Sequence, residues 1–391
     1  MDDLRYFPVK VDTMAVLSFL GAAVLLLLLV VMEGTRTQSA ATIEQAAALR
    51  RLLLWQETAD PEKAPTPQAA DVREEGRTPS AATQSNVADN NTLFECRAPE
   101  RRYVSDEVRQ KLPHKKKPPL LLTLPGSGNT WFRLLLEAGT GFHTGSVYTD
   151  MMLRTIMPGE LTCDASTIVI KSHLHIGRYS PEIHRQLFET PPDQFTGNYP
   201  CRSVRPFDTV IAVIRDPYHA ALAESVRQIT GGHARGLEKS RLAKMPKDML
   251  ANKLVTQAEM WALYMEEYAA LLEAGWVAGR DIVLIRFEDM TSEYMKYDTL
   301  ARLLNFVLGD EVASPHGALT KEALACVFKL SESEHVHRHH GGAFVTAEEV
   351  LTPDVVCRMW DKIRHVALAM EYKPPFGIHC KQGNHSDAAA A

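Results

Sequence analysis

The chain has 391 residues, 45% of them hydrophobic, which allows one large domain or two modest ones with appendages. Its formal charge of −5 and pI near 6.3 exclude the broad basic face of a nucleic-acid surface, so any anionic ligand must be met by local charges. Six cysteines (Cys96, Cys163, Cys201, Cys326, Cys357, Cys380) suit up to three disulfides in an oxidising compartment, and none stands at the close spacing of a zinc or redox pair.

Taken in order, residues 1–13 are a short tail and residues 14–32 (MAVLSFLGAAVLLLLLVVM) an uncharged run long enough to cross a bilayer as a helix. A cleaved signal peptide would have a shorter apolar core, although Ser39-Ala40-Ala41 offers a weak cleavage pattern. Arg5 and Lys10 precede the run and Arg36 follows it, with Asp2, Asp3 and Asp12 diluting the bias; a cytoplasmic tail and a luminal body are expected. Asn90-Asn91-Thr92 and Asn384-His385-Ser386 are glycosylation acceptors on that side, a weak signal because such triplets arise by chance. Residues 33–117 are rich in Ala, Thr, Pro, Gln and charge, and read as a stem with one short helix over 42–57. The run His114 to Lys117 ends it, either as a solvated segment or as one facing a phosphate.

Residues 118–391 then alternate strands and helices. Strands are expected at 120–124, 167–171, 209–214 and 282–287. Helices are expected at 130–138, 217–229, 256–274, 293–308 and 353–370. That order implies an α/β domain, a three-layer, P-loop-like parallel sheet flanked by helices, preceded by a transmembrane helix and a stem. Ligands of such sheets sit at the carboxyl ends of the strands.

The sharp motifs fall there. After the first strand, Leu124-Pro125-Gly126-Ser127-Gly128 leads into Asn129, Thr130, Trp131 and Arg133 at a helix start. Small residues and the unpaired amides of a helix N-terminus make an anion cradle, but the lysine of a Walker loop is missing, which argues against ATP or GTP. At the end of the second strand, Lys171 and His173 are two apart and point to one side, a cation beside a titratable base; a histidine satisfied by backbone is the plainer alternative. Arg215 at the third strand's tip stands before the Pro217 helix as a second anion site, unless it pairs with Asp216 or Glu288; Arg227 is expected to face away. Glu288 and Asp289 either cap a helix or serve the site. The histidine-rich stretch 334–342, around Arg338, suits a cationic loop over a phosphate better than a metal site.

As a set, these motifs resemble the sulfotransferase superfamily, whose members move the sulfuryl group of 3'-phosphoadenosine 5'-phosphosulfate (PAPS) to a hydroxyl or amine. Pro125 to Trp131 looks like the 5'-phosphosulfate loop, residues 213–217 like the 3'-phosphate strand and helix, Lys171 to His173 like the catalytic segment, and Phe287-Glu288-Asp289 like the aromatic-Glu-Asp motif. The Pro-Gly-Ser-Gly-Asn-Thr-Trp form with Ala223-Glu224 is closest to the WSC domain-containing, sialate-sulfating branch. The resemblance implies PAPS as co-substrate, no metal, His173 as base and Lys171 as charge stabiliser. It further implies Pro125, Gly126, Ser127, Gly128, Asn129, Thr130, Trp131 and Arg133 on the phosphosulfate, and Arg215, Ser225 and Arg338 on the 3'-phosphate. The acceptor would be a carbohydrate or glycoconjugate hydroxyl, and the setting a single-pass type II protein of the Golgi membrane; nucleic acid is not a partner. Three departures stand out: Gly126 replaces a lysine common in the family, Ala223 replaces a serine with Ser225 two residues on, and the stem lacks the cysteine-rich repeats. A luminal glycosyltransferase and a catalytically silent protein that binds the desulfated nucleotide (PAP) are the competing readings; no Asp-x-Asp triplet of the usual glycosyltransferase metal site occurs.

Overall fold

The computed structural model describes residues 95–380 apart from 116, 149, 174–200, 202, 205–206, 233–234, 247, 274–280 and 333–342. The apolar run 14–32, most of the stem, both glycosylation triplets and Arg338 lie outside the described residues. Among the described residues no helix is long and apolar enough to cross a membrane, and no cluster of three metal-ligating side chains occurs.

Five strands form one parallel sheet: β1 (Leu120–Thr123), β2 (Gly145–Ser146), β3 (Ile170–His173), β4 (Thr209–Ile214) and β5 (Asp281–Arg286), in the order β2-β3-β1-β4-β5. β1 is central because its four residues are apolar or small and buried on both faces. Its alternation divides the core. Leu120 and Leu122 face one layer with Val210, Ala212 and Ile214. Leu121 faces the other with Ile211, Val213 and Ile285.

Ten helical segments are labelled among the described residues. They are α1 (Asp106–Lys111), α2 (Asn129–Thr140), α3 (Pro217–Thr230), α4 (Lys239–Leu242), α5 (Met249–Glu273), α6 (Phe287–Thr291), α7 (Lys296–Leu308), α8 (Lys321–Ser331), α9 (Ala347–Val350) and α10 (Pro353–Ala367). Helices α3, α5 and α10 cover the first face, where Tyr218, Trp261 and Met359 meet. Helices α2, α7 and α8 cover the second through Phe132, Leu304 and Val327. The chain leaves β1 toward β3 on one side and places β4 on the other, so the carboxyl end of β1 is a topological switch point.

Several expected boundaries move. The second strand starts later than 167 and includes Ser172 and His173, which pair with Leu122 and Thr123, so both Lys171 and His173 belong to the sheet. Helix α5 starts at Met249 because Leu250 and Leu254, four apart, both reach the core. Within the stretch expected as a stem, the described residues pack into the domain: Val104, Arg109 and Leu112 are buried, and the Arg109 guanidinium donates to the carbonyls of Ala165 and Thr167. Three disulfides, Cys96–Cys326, Cys163–Cys201 and Cys357–Cys380, use all six cysteines, which fits a secreted or luminal protein.

Candidate active site at the carboxyl edge of the sheet

The loop after β1 is tight because Ser127 N donates to Leu124 O at 3.0 Å, and it needs φ of +84° at both Gly126 and Gly128. No side chain caps α2, whose N-cap is Gly128, so its first-turn amides face outward as an anion site. The loop backs directly onto α3. A Cβ at Gly126 would lie 2.2 Å from the carbonyl oxygen of Ala220, and one at Gly128 2.6 Å from the Phe287 ring. The lysine common in the resembled family therefore has no room at 126 in this loop geometry.

Loop, β3, β4 and α3 enclose a cavity of about 680 Å³. Pro125, Gly126, Gly128, Asn129, Thr130 and Trp131 line it on one side, and Lys171, His173 and Arg215 on the other. Trp131, held by a 3.1 Å hydrogen bond from its indole to Ser331 Oγ, packs beside Phe287 with ring centroids 5.4 Å apart. Arg215 lies over the Phe287 ring at 4.0 Å and donates to Gly126 O at 2.9 Å. Burial lowers its proton affinity and Glu288 and Asp216 oppose that. The Arg215 hydrogen bond goes to the loop, not to a carboxylate. Glu288 instead accepts from Asp216 N at 2.8 Å and from the Tyr372 hydroxyl at 3.2 Å, tying the ends of β4 and β5 together. Asp216 caps α3, accepting from the amides of Tyr218 and His219.

His173 is held by its Nδ1. That atom is 2.9 Å from Thr123 Oγ1 and 3.2 Å from Thr123 O, while Asn129 Nδ2 donates to Thr123 Oγ1 at 2.8 Å. A carbonyl can only accept, so the arrangement favours hydrogen on Nδ1 and a lone pair on Nε2. Tyr148 clamps the same residue: its hydroxyl donates to His173 O at 3.0 Å, accepts from His173 N at 3.2 Å, and its ring stacks on the imidazole at 5.8 Å. Lys171 Nζ lies 5.8 Å from that ring centroid and 3.5 Å from Glu160 Oε1. Burial pushes the lysine down in proton affinity and Glu160 pushes it back up.

Three expected contributors do not line the cavity. Arg133 is fully buried, paired with Glu160 and donating to Thr144 Oγ1 at 2.8 Å, so it cannot stand in for the missing loop lysine. Ser127 and Ser225 are buried with hydroxyls that meet no partner among the described residues, and Ala223 is among the α3 residues that line the wall. Arg227, expected to face away, does line it, gripped by Glu224 through two hydrogen bonds of 2.7 and 2.6 Å. Tyr148 and Asp150, which carry no periodic signal, complete the wall beside Lys171. Glu224 precedes Arg227 by three, one of the helical spacings that allow an ion pair.

No family model matches the chain. Over 114 residues it is 37% identical to WSCD family member GA21586 of Drosophila pseudoobscura pseudoobscura, covering 29% of this chain and 28% of that one. The chain is similar to WSCD family members. The Drosophila melanogaster member CG9164 is 35% identical over 114 residues, with the same coverage. The Aedes aegypti member AAEL009094 is 29% identical over 209 residues, 53% of this chain and 56% of its own length. The chain thus spans between about a quarter and just over half of these curated relatives.

Proposed function

We propose that the chain is sulfotransferase-like and transfers a sulfuryl group from PAPS to a hydroxyl of a carbohydrate or glycoconjugate. The observation that carries this reading is the convergence, on one cavity, of a glycine loop whose helix has no side-chain cap, a stacked arginine and a histidine whose Nδ1 is committed to Thr123. The similarity to WSCD family members and the motif resemblance point the same way.

The amides of the loop and of α2 would hold the 5'-phosphosulfate, Arg215 the 3'-phosphate, and the Trp131–Phe287 surface a nucleoside base. His173 Nε2 takes the acceptor's hydroxyl proton as the new oxygen–sulfur bond forms. Lys171 stabilises the charge gathering on the bridging oxygen as its bond to sulfur breaks and the electron pair leaves with PAP. The reaction needs neither a metal nor a redox cofactor. The three disulfides suit placement in the Golgi lumen, with residues 14–32 as the membrane anchor.

The test is labelled sulfate transfer from PAPS to a glycan panel with the full chain. His173→Ala is expected to lower transfer by roughly 10²–10⁴-fold while PAP binding survives; an unimpaired variant removes the base assignment. Because Gly126 excludes a loop lysine, a catalytically silent PAP-binding protein is the second reading. It predicts that PAP raises the melting temperature while no acceptor is sulfated.

A further inference from the structure

We propose that Glu160 is a positioning residue for the proposed transfer, acting through Lys171: it is the fixed counter-ion that keeps the lysine charged and aimed at the cavity. The inference rests on the sulfuryl-transfer reading and adds a residue from a segment that has no motif.

The placement of Glu160 is dictated by backbone. Residues Pro158–Leu161 form a short 3-10 turn, with Glu160 N donating to Met157 O at 2.9 Å and Thr162 N to Gly159 O at 2.9 Å. The turn lies directly against the end of α2's connection to β2, so close that a Cβ at Gly159 would be 2.3 Å from Thr144 O. Ser146 N then donates to Thr162 O at 3.0 Å, fastening the turn to the sheet. Glu160 has no freedom to swing outward, and its side chain is 0% exposed.

Its carboxylate sits between two cations. One oxygen pairs with Arg133, whose side chain is also 0% exposed; the other stands 3.5 Å from Lys171 Nζ, on a side chain 4% exposed. That second oxygen makes no shorter hydrogen bond among the described residues. Arg133 is fully committed, since it also donates to Thr144 Oγ1 at 2.8 Å and Thr144 O at 3.2 Å. Of the two cations only Lys171 lines the cavity. Of the two cations that share this carboxylate, Lys171 is the one whose charge can reach the cavity.

The groups facing Lys171 come from several elements. Glu160 in the turn and Asp150 after β2 favour its charged form, while Arg133 from α2 and burial itself oppose it. The Tyr148 ring offers its face. An ammonium this buried loses its proton readily unless a carboxylate stays close. Removing Glu160 and removing Arg133 must therefore move Lys171 in opposite directions, whereas mere damage to the core would move it in the same direction for both.

The experiment uses the full chain and two readouts. Brief labelling with isotopic acetic anhydride across a pH series, read by peptide mass spectrometry, reports where the Lys171 amine becomes reactive whether or not the protein transfers sulfate. In E160Q the half-reaction pH is expected to fall by about one unit or more, and in R133M to rise. In parallel, E160Q is expected to lower kcat for sulfate transfer about 10–100-fold near neutral pH with the KM for PAPS within about threefold. In the K171R background, where the charge at 171 is permanent, adding E160Q should lower kcat no further. If E160Q fails to fold, R133M alone decides: an upward shift supports the role, and no shift or a downward one overturns it. Shifts of one sign in both variants also overturn it. Opposite shifts with no transfer by any variant would uphold the Glu160–Lys171 coupling and reject the sulfotransferase reading.

Discussion

Gly126→Ala tests the loop most directly. Two costs add. A non-glycine residue held at φ +84° is strained by roughly 1–3 kcal/mol. The new Cβ would start 2.2 Å from the Ala220 carbonyl oxygen, which forces the loop or α3 to move at about 1–3 kcal/mol more. The sum, roughly 2–6 kcal/mol, should lower the melting temperature by about 5–20 °C for a domain of this size. Gly128→Ala shares the backbone strain, but its clash is with the Phe287 ring, a side chain. Adding Phe287→Leu should therefore recover part of the Gly128→Ala loss. Adding Ala220→Gly should recover nothing at 126, because the obstacle there is backbone. Thermal unfolding of the full chain in detergent, with and without PAP, measures both. Gly126→Lys, which introduces the lysine common in the resembled family, should lose stability and gain no activity. If Gly126→Ala melts within about 1 °C of the parent, or Gly126→Lys raises transfer, the steric account is wrong.

Thr123→Val removes the oxygen that joins Asn129 to His173; transfer should fall about tenfold with PAP affinity within about twofold, as measured by steady-state rates and calorimetry. Cys163→Ser with Cys201→Ser opens a loop of sequence separation 38 and should cost about 4 kcal/mol by chain entropy, read from denaturant unfolding under non-reducing conditions. Burial pushes the Glu137 carboxyl up, but His143, the Thr144 amide and hydroxyl and Arg133 outweigh it and hold it below its ordinary 4.5. The unfolded chain therefore takes up the proton first as pH falls, so Glu137's stabilisation is present above about pH 4.5 and lost below it. Glu137→Gln should be less stable at neutral pH and show a flatter acid limb in melting temperature against pH.

Much of the architecture was legible because burial on both faces of a parallel strand leaves an unbroken apolar run: 209–214 and the start of 120–124 could be read directly. Arg215 at a strand tip, and Lys171 and His173 on alternate positions, followed from the period of two. What stayed hidden depends on partners. Arg133 carries a charge next to the glycine loop, and only the folded chain reveals that Glu160 and Thr144 have taken it. β2 has two residues, too few for any pattern, so Tyr148 and Asp150 just beyond it went unmarked. Arg227 lines the cavity because α3 runs along it, a matter of helix direction that spacing does not encode. The packing of residues 104–112 was hidden for a similar reason: Arg109 is buried through two carbonyls far along the chain.

The Cys96–Cys326 bond also has a mechanical meaning. Cys96 stands almost where the described chain begins, and its partner lies in α8, which packs against α2 behind the anion loop. A pull transmitted through residues 1–94 would load α8 through a covalent link instead of peeling α1 from the edge. Tension entering at that end would bypass the first helix and pass into the layer formed by α2 and α8.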